Sequence, residues 1–410
     1  MDTPHDGVGS PASLLPTRVF HAQTKKGAVD VTISADYTVE KLIGSGSYGV
    51  VVEVRRVADN QPLALKQIVL PSFLEPEGSK HLSDYEIVAC RTVREIRILR
   101  FLQRIIAEAD VDVPYFIHLH DILQMPSRGS GRVSLVVQLL QSDLHAVLRN
   151  PAQELTEDHV QFMMYDLLRA VFFLHSAGIA HRDIKPQNIL VNENCDAVLC
   201  DFGLAREISE SEMTVYVETR WYRAPELIMG LTVYDEKVDI WSLGCVMAEM
   251  MMDVRARFPL WRGANAKDQL DKILFTLGVP SEKSMQSLTS SAAFAYLSKM
   301  RSHAMVPKNS QLATKLAPGT NPQAVDLVNK MLSVLPKDRI SAAECLRHPF
   351  FSDIRDEQTE HRAIQAYDDQ ELDFVYDRNV KARDKVEKLE ELLYAEMASF
   401  HPELEKFKKK

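Results

Sequence analysis

The hydrophobic period of this chain of 410 residues is mainly that of strands in its first third and that of helices afterwards, and this limits the folds open to it. Apolar and β-branched residues alternate from Val50 to Val54 and again from Leu63 to Ile68, as they do in half-buried strands. From Thr156 onward, apolar residues recur at helical spacing instead. The sequence therefore predicts an α+β fold in which a small β-rich region is followed by a larger helical region, with the join near Gln141.

Composition along the chain predicts four segments. Residues 1–36 are rich in Pro, Gly, Ser and Thr without an apolar period, which predicts a flexible N-terminal arm. The β-rich region covers 37–140 and the helical region covers 141–351. A C-terminal extension over 352–410 contains an acidic stretch and then a charged helix from about Asp384 to Phe400.

Charge and hydropathy argue against several classes of function. The net charge is -9, from 48 basic and 57 acidic residues, so we expect no nucleic-acid partner. We expect no membrane insertion, because no apolar run reaches the ~18 residues that span a bilayer. Five cysteines without metal-ligand spacing fit a reducing compartment. We expect a cytoplasmic protein, with the nucleus as a second location.

Three glycines separate the first two predicted strands, at Gly44, Gly46 and Gly49. Their backbone would allow a phosphate to approach closely, although a tight hairpin turn explains the same spacing. A dinucleotide site does not fit, because a strand rather than a helix follows the glycines. At this point both the phosphate site and the plain turn remain open.

Two charged residues indicate a functional site only when they are considered as a pair. Lys66 lies in an apolar strand and Glu95 lies in the following helix. Separately they would be a surface lysine on an edge strand and a solvated helical charge. Together, the carboxylate would hold the ammonium toward phosphate oxygens.

The segment His181–Asn188 places three kinds of chemistry in one loop. Asp183 can accept a hydroxyl proton, Lys185 can neutralise a transferring phosphoryl group, and Asn188 can bind a metal ion. Asp201 follows a short apolar strand and would be a second metal ligand. Because Mg²⁺ usually bridges carboxylates to nucleotide phosphates, we expect the ligand to be MgATP.

From about Tyr37 to Phe351 the chain resembles a eukaryotic protein kinase. The resemblance implies a bilobal fold and transfer of the ATP γ-phosphate to a protein hydroxyl, and Lys185 favours serine or threonine as the acceptor. The matching positions are Gly44, Gly46, Gly49, Val51, Ala64, Lys66, Glu95, His181–Asn188, Asp201–Gly203, Ala224–Glu226, Asp239 and Arg339.

The resemblance also implies roles for individual residues. Catalysis would use Asp183, Lys185, Asn188, Lys66 and Glu95, with Asn188 and Asp201 holding Mg²⁺. The gatekeeper would be Val137, a small residue that predicts an open back pocket. The residues expected to contact ATP are Ile43, Gly44, Ser45, Gly46, Ser47, Tyr48, Gly49, Val51, Ala64, Lys66, Val137, Gln138, Leu139, Leu140, Asp143 and Asp201.

Thr214 and Tyr216 resemble the Thr-x-Tyr activation lip of mitogen-activated protein kinases, although a plain loop with two hydroxyls is the alternative. The resemblance implies dual phosphorylation at these positions. The phosphates would be received by arginines, namely Arg94, Arg182 and Arg206 for Thr214, and Arg220 and Arg223 for Tyr216. A helical insertion at about 280–323 and a tail over 384–402 also resemble this family.

The acidic residues Asp356, Glu357 and Glu360 occupy the place where this family docks basic motifs, although an acidic run is usually a solvated face. Leu155, His159 and Phe162 could supply an adjoining apolar groove. The implied partners are an upstream dual-specificity mitogen-activated protein kinase kinase, phosphatases, and substrates with Ser-Pro or Thr-Pro sites and basic docking motifs.

Two alternatives and one departure remain. A catalytically silent kinase-fold scaffold would keep the fold without turnover, and the intact catalytic positions argue against it. A cyclin-dependent relative should lack the second lip hydroxyl, but Tyr216 is present. The stretch between Lys66 and Glu95 is longer than the family's pattern, which predicts an inserted loop at about 71–84.

Overall fold

The structure is a computed structural model that divides into two compact units. The described residues of Met1–Gln103, Ile117–Leu139 and Asp369–Lys410 form unit 1, and those of Arg104–Phe116 and Leu140–Asp368 form unit 2. The structure describes residues 17–24, 27–45, 49–71, 80–123, 131–207, 220–231, 235–286, 290–303, 306–368, 370–375, 377 and 379–402.

Two strands in unit 1, over 17–24 and 27–34, pair with each other in the stretch 1–36 where the sequence predicts a flexible arm. The strands are β1 (Thr17–Thr24) and β2 (Gly27–Ser34), which pair antiparallel. Val31 and Ile33 are buried in the core of the unit, with Val29 packed against it. Proline and glycine content concealed the two-residue period of these side chains, whose apolar face packs against residues distant in sequence.

An antiparallel sheet forms the centre of unit 1. Its strands are β3 (Tyr37–Ser45), β4 (Gly49–Arg56), β5 (Pro62–Leu70), β6 (Leu119–Leu123) and β7 (Gly131–Gln138), in the order β3-β4-β5-β7-β6. Lys66 lies opposite Val51 of β4 and Leu135 of β7. It therefore stands on a central strand, not on the edge strand that would make it a surface lysine.

Helix α1 (Lys80–Ala109) contains Glu95 and passes from unit 1 into unit 2 between Gln103 and Arg104. The loop predicted at about 71–84 therefore ends earlier, since residues 80–84 are helical. Residues 72–79 lie outside the described part of the chain.

Unit 2 is mainly helical. Its helices are α2 (Leu144–Arg149), α3 (Glu157–Ser176), α4 (Pro225–Ile228), α5 (Lys237–Met250), α6 (Ala266–Leu277), α7 (Glu282–Met285), α8 (Ser291–Arg301), α9 (Pro322–Met331) and α10 (Ala342–Leu346). Its strands are β8 (Ser142–Asp143), β9 (Ile179–Ala180), β10 (Ile189–Val191), β11 (Ala197–Leu199) and β12 (Arg206–Glu207). Because α5 is buried on every side from Val238 to Met250, it forms the centre of this unit.

Helix α11 (Ala382–Phe400) belongs to unit 1, where it meets α1. The carboxylate of Glu396 accepts a hydrogen bond from Nε of Arg97 at 2.9 Å and another from Arg100. The C-terminal extension thus adds a helix to the unit that contains Glu95. Within the described residues, no helix has the length and apolar character needed to cross a bilayer.

The α+β fold class predicted from the sequence is confirmed. A β-rich unit comes first in the chain and a helical unit follows, as the change of hydrophobic period indicated.

Candidate active site

In unit 1, strand β5 and helix α1 bring Lys66 and Glu95 together. Nζ of Lys66 donates to both carboxylate oxygens of Glu95, at 2.8 and 2.9 Å. The glutamate is nearly buried, whereas about a third of the lysine side chain stays exposed. The pair therefore holds an ammonium group in a fixed position that remains accessible to a ligand.

Of the three glycines, Gly49 is required by close packing of the strands, whereas Gly44 borders open space. A Cβ at Gly49 would lie 1.8 Å from the carbonyl oxygen of Gln67, so the close approach of β4 to β5 requires glycine. A Cβ at Gly44 would meet no described atom within 4 Å. Gly46, Ser47 and Tyr48 lie outside the described residues.

The other residues expected to contact the nucleotide are distributed over both units. In unit 1, Ala64 of β5 lies opposite Val137 of β7, and Gln138 and Leu139 follow Val137. Leu140 and Asp143 belong to unit 2. The side chain of Asp143 caps α2, with Oδ1 accepting from the N–H of Ala146 at 2.8 Å. Ile43, Ser45 and Val51 lie on β3 and β4.

In unit 2, the loop after β9 concentrates hydrogen bonds on one carboxylate. Oδ2 of Asp183 accepts from Nζ of Lys185 at 2.7 Å and from Nδ2 of Asn188 at 2.9 Å. The same amide also donates to the carbonyl oxygen of Asp183 at 2.9 Å. These three side chains therefore converge, and two donors fix the orientation of the Asp183 carboxylate.

A buried carboxylate on α5 binds the backbone of this loop. Asp239 accepts from the backbone N–H groups of His181 and Arg182, each at 2.8 Å, and contacts Nε2 of His175 at 3.0 Å. Burial alone would raise the pKa of Asp239, but the interactions with His175 and with the loop outweigh it and lower that pKa below its ordinary value. Arg182 has a φ of 68°, a strained conformation that these hydrogen bonds help to maintain.

Strands β10 and β11 place Asp201 beside Asn188. The two strands pair antiparallel, and the N–H of Cys200 donates to the carbonyl oxygen of Asn188 at 3.0 Å. Asp201 is the next residue and has a φ of 64°. The ring centroid of Phe202 lies 4.9 Å from that of His181 and 6.1 Å from that of Phe116. These contacts anchor the turn in unit 2.

The donor set at this turn suits a hard cation. Nδ2 of Asn188 donates to Asp183, so the side-chain oxygen Oδ1 of Asn188 is the atom left for a metal. Asp201 adds carboxylate oxygens. Oxygen ligands from one amide and one carboxylate, completed by phosphate and water oxygens, fit Mg²⁺. The described residues contain no cluster of three or more His, Cys, Asp or Glu side chains that suits a metal.

The lip residues Thr214 and Tyr216 lie outside the described residues, whereas their proposed arginine partners do not. Arg94 is buried on α1 in unit 1. In unit 2, Arg206 pairs across the β9–β12 ladder with Ala180, which stands two positions before Arg182 in the sequence. Arg220 and Arg223 belong to the turn before α4.

The predicted docking cluster is partly neutralised. Glu360 pairs with Arg355 at 2.8 Å and accepts from the hydroxyl of Tyr165 at 3.1 Å, and Glu357 also pairs with Arg355 at 3.0 Å. Asp356 is exposed and caps the next turn. Two acidic side chains, Asp356 and Glu357, therefore remain exposed.

The neighbouring face of α3 carries the apolar residues assigned to docking. Phe162 is exposed over about half of its surface. His159, one turn earlier, is used in the capping box of the helix with Thr156, and Leu155 precedes that cap.

Sequence reasoning missed Glu249, which is fully buried on α5. It accepts from the hydroxyl of Tyr222 at 2.5 Å and pairs with Arg149. It thereby fixes the segment that follows the lip. The signal was present, because a second acid inside an otherwise apolar helix predicts a buried, partnered charge.

Comparison with known proteins agrees with this geometry. Residues 37–351 match the protein kinase domain family. The chain is 35% identical to mitogen-activated protein kinase 6 of Arabidopsis thaliana over 363 residues, which cover 88% of this chain and 82% of the relative. It is also 35% identical to mitogen-activated protein kinase 4 of Oryza sativa subsp. japonica over 376 residues, covering 91% of each chain. The chain belongs to the protein kinase family and, within it, to the serine/threonine kinases of the mitogen-activated type.

Proposed function

We propose that the protein transfers the γ-phosphate of MgATP to serine or threonine residues that precede proline. The arrangement of Asp183 carries the proposal, because two fixed donors orient a carboxylate that stays partly open to solvent. An acceptor hydroxyl would donate its hydrogen bond to this carboxylate, which would take its proton as the new ester bond forms.

The neighbouring cations would stabilise charge. Lys185 lies within reach of the same oxygen of Asp183 and would neutralise charge that develops on the transferred group. Lys66, held by Glu95, would bind the α- and β-phosphates. Asn188 and Asp201 would hold Mg²⁺, which when bound neutralises phosphate charge and orients the nucleotide.

Regulation would follow the pattern of the family. Phosphorylation of Thr214 and Tyr216 by an upstream dual-specificity kinase would add about two negative charges per site, and nearby arginines would receive them. Phosphatases would reverse this step. We place the protein in the cytoplasm with access to the nucleus, as part of a signalling cascade.

Docking would use the exposed carboxylates Asp356 and Glu357 rather than Glu360, which is occupied by Arg355 and Tyr165. A basic partner motif would have to compete with Arg355 for Glu357. Its apolar residues would lie on Phe162 of α3. The partner chemistry that fits is a peptide with two or more basic residues next to an aliphatic one.

The test is phosphate transfer by the purified full chain, with Mg²⁺, labelled ATP and peptides that carry Ser-Pro or Thr-Pro, before and after phosphorylation of the lip. Asp183→Asn should lower kcat by about 10²- to 10⁴-fold without changing the thermal midpoint. Asp353→Asn, an exposed aspartate of the same unit, is the matched control. Near-normal transfer by Asp183→Asn would refute the assignment, and absence of turnover by the doubly phosphorylated wild type would favour a silent scaffold.

A further inference from the structure

Unit 2 carries aromatic rings and guanidinium groups in alternation at its surface. We call this set the cation–aromatic row, and it consists of Trp221, Arg262, Phe258 and Arg149. The guanidinium carbon of Arg262 lies 5.1 Å from the ring centroid of Trp221 and 5.6 Å from that of Phe258. The guanidinium carbon of Arg149 lies 5.2 Å from the ring centroid of Phe258. At these distances a ring attracts a cation, so the four side chains support one another.

The backbone around Arg262 is fixed on both sides. Trp261, which precedes it, is buried. Gly263, which follows it, packs so closely on α6 that a Cβ there would lie 2.5 Å from Cα of Gln269. Nζ of Lys272 donates to the carbonyl oxygen of Arg262 at 2.7 Å. Because this stretch is already ordered, a ligand of Arg262 would lose little free energy in ordering the chain.

The row has more positive charge than the neighbouring carboxylates neutralise. Arg149 pairs with the buried carboxylate of Glu249. Burial lowers the pKa of Arg149, and the positive charge of Arg262 lowers it as well, which places the two cations near each other. Within the described part of the chain, the exposed guanidinium of Arg262 forms no ion pair and no hydrogen bond. Asp268, the acid nearest to it in sequence, is bound by Nζ of Lys272 at 2.8 Å.

The chemistry of this surface fits an acidic side chain next to an apolar one. A guanidinium presents its N–H groups at its edges, where two parallel N–H groups match the two oxygens of a carboxylate. Phe258, beside Arg262, is 50% exposed, so a large apolar ring remains uncovered. Arginine and aromatic residues are also the types enriched where proteins bind partners.

Both ends of the row are linked to the parts of unit 2 that phosphate transfer would use. At one end, α2 contains Arg149 and, one turn earlier, His145, whose Nδ1 lies 3.1 Å from Nε2 of Gln187 in the loop of Asp183. At the other end, Trp221 lies in the turn that follows the lip. Since an extended peptide spans about 3.3 Å per residue, one whose hydroxyl reaches Asp183 would meet the row within a few residues.

We propose that the cation–aromatic row selects acceptor peptides that carry an aspartate or glutamate near the phosphorylated serine or threonine. The carboxylate accepts two hydrogen bonds from the guanidinium of Arg262, and a neighbouring apolar side chain lies on Phe258. Because Glu249 already neutralises Arg149, one uncompensated cation remains, which matches the single charge of a carboxylate. This selection rests on the phosphate transfer proposed above, since it specifies the class of peptide that reaches Asp183.

The first test observes the row without phosphate transfer. The full chain, which has three tryptophans, is prepared with 5-fluorotryptophan and titrated with peptides while its ¹⁹F signals are recorded. Each peptide has a central Ser-Pro and either Asp or Asn at one of the six positions on each side. The signal of Trp221, assigned with Trp221→Phe, should shift saturably. At one position or two adjacent ones, the Asp peptide should bind at least about tenfold more tightly than the Asn peptide.

The second test measures kcat/KM for the same peptides with MgATP and the lip-phosphorylated protein. The preferred Asp position should be the same, with an advantage of about tenfold over Asn, and Arg262→Gln should reduce this ratio to below about twofold. Arg255→Gln removes an exposed arginine outside the row and is the matched control, which should keep the ratio.

The two tests separate this inference from the proposed function. Turnover without an Asp preference at any position, or a preference that survives Arg262→Gln, would overturn the inference and leave phosphate transfer standing. An equal loss of preference in Arg255→Gln would also overturn it, because general charge attraction would then be the cause. Binding that depends on Asp and on Arg262, without turnover, would refute phosphate transfer and keep the acidic-peptide site.

Discussion

Two ion pairs of almost equal geometry, one in each unit, differ in what can reach them. Lys66 and Glu95 in unit 1 meet at 2.8 and 2.9 Å, and so do Arg339 and Glu226 in unit 2. The side chains of the second pair are 0% exposed, whereas 31% of the Lys66 side chain is exposed. Arg339 also donates to the carbonyl oxygens of Ser333 and Lys237, so protein atoms satisfy it.

The difference shows that distance alone does not distinguish a catalytic pair from an architectural one. A buried pair whose donors are all used inside the protein contributes to stability only when both partners are present, because one left alone is an uncompensated charge. A pair with one exposed member can offer that member to a ligand. We therefore expect loss of stability from changes in the first kind and loss of activity from changes in the second.

The largest effect should follow Arg339→Met. It leaves Glu226 buried without its partner, and we expect the free energy of unfolding to fall by about 3–5 kcal/mol. Urea unfolding measures this change in the free energy of unfolding. The double variant Arg339→Met/Glu226→Leu, in which no charge remains, should recover most of the loss. A single variant within about 1 kcal/mol of the wild type would break the comparison.

Lys66→Met should act on catalysis instead. Loss of one fixed cation should lower kcat/KM about 100-fold, equivalent to about 2.7 kcal/mol of transition-state stabilisation. The free energy of unfolding should fall less than in Arg339→Met, by about 1–2 kcal/mol, because Glu95 loses its partner but is not fully buried. Lys41→Met removes an exposed lysine of the same sheet and should leave the kinetics unchanged. If Lys66→Met lost activity only because it unfolded, the distinction between a catalytic and an architectural ion pair would be contradicted.

Glu396 of α11 is an intermediate case, 9% exposed and shared between Arg97 and Arg100. Glu396→Gln should cost about 1–2 kcal/mol of unfolding free energy, since the two guanidinium groups keep partial access to water. Amide exchange in α1 should become faster at the same time. Glu391→Gln, an exposed change on the same helix, should alter neither quantity.

The smallest expected effect on stability concerns His120 of unit 1, whose environment disfavours the charged ring instead of pairing it with a carboxylate. Burial, with repulsion from His118, lowers its pKa from 6.5 to about 4. Between these values the unfolded chain binds more protons, so stability falls as the pH decreases from about 6.5 to 4, and falls no further below that. Because the ring is partly exposed, we expect about 1 kcal/mol. His120→Asn should flatten this part of a urea-midpoint profile, and an unchanged slope would exclude His120 as its source.

The sequence predicted several elements well because their signals are local. Helical spacing begins at Thr156 in the sequence, and α3 begins at the next residue, Glu157. The paired strands over 17–24 and 27–34 were missed, because their buried face packs against the rest of unit 1. The start of α1 at Lys80 was also missed, since Pro, Gly and Ser in the preceding stretch indicated a loop.

By itself the sequence determined the order of strands and helices, the family motifs and the chemistry available in the loop His181–Asn188. Only the tertiary structure decided which charges meet and which of them water can reach. Glu226 and Arg339 are 113 positions apart, and the guanidinium of Arg149 in α2 lies over the ring of Phe258, which follows α5. Hydrophobic period and capping depend on near neighbours, whereas desolvation of a charge depends on everything packed around it.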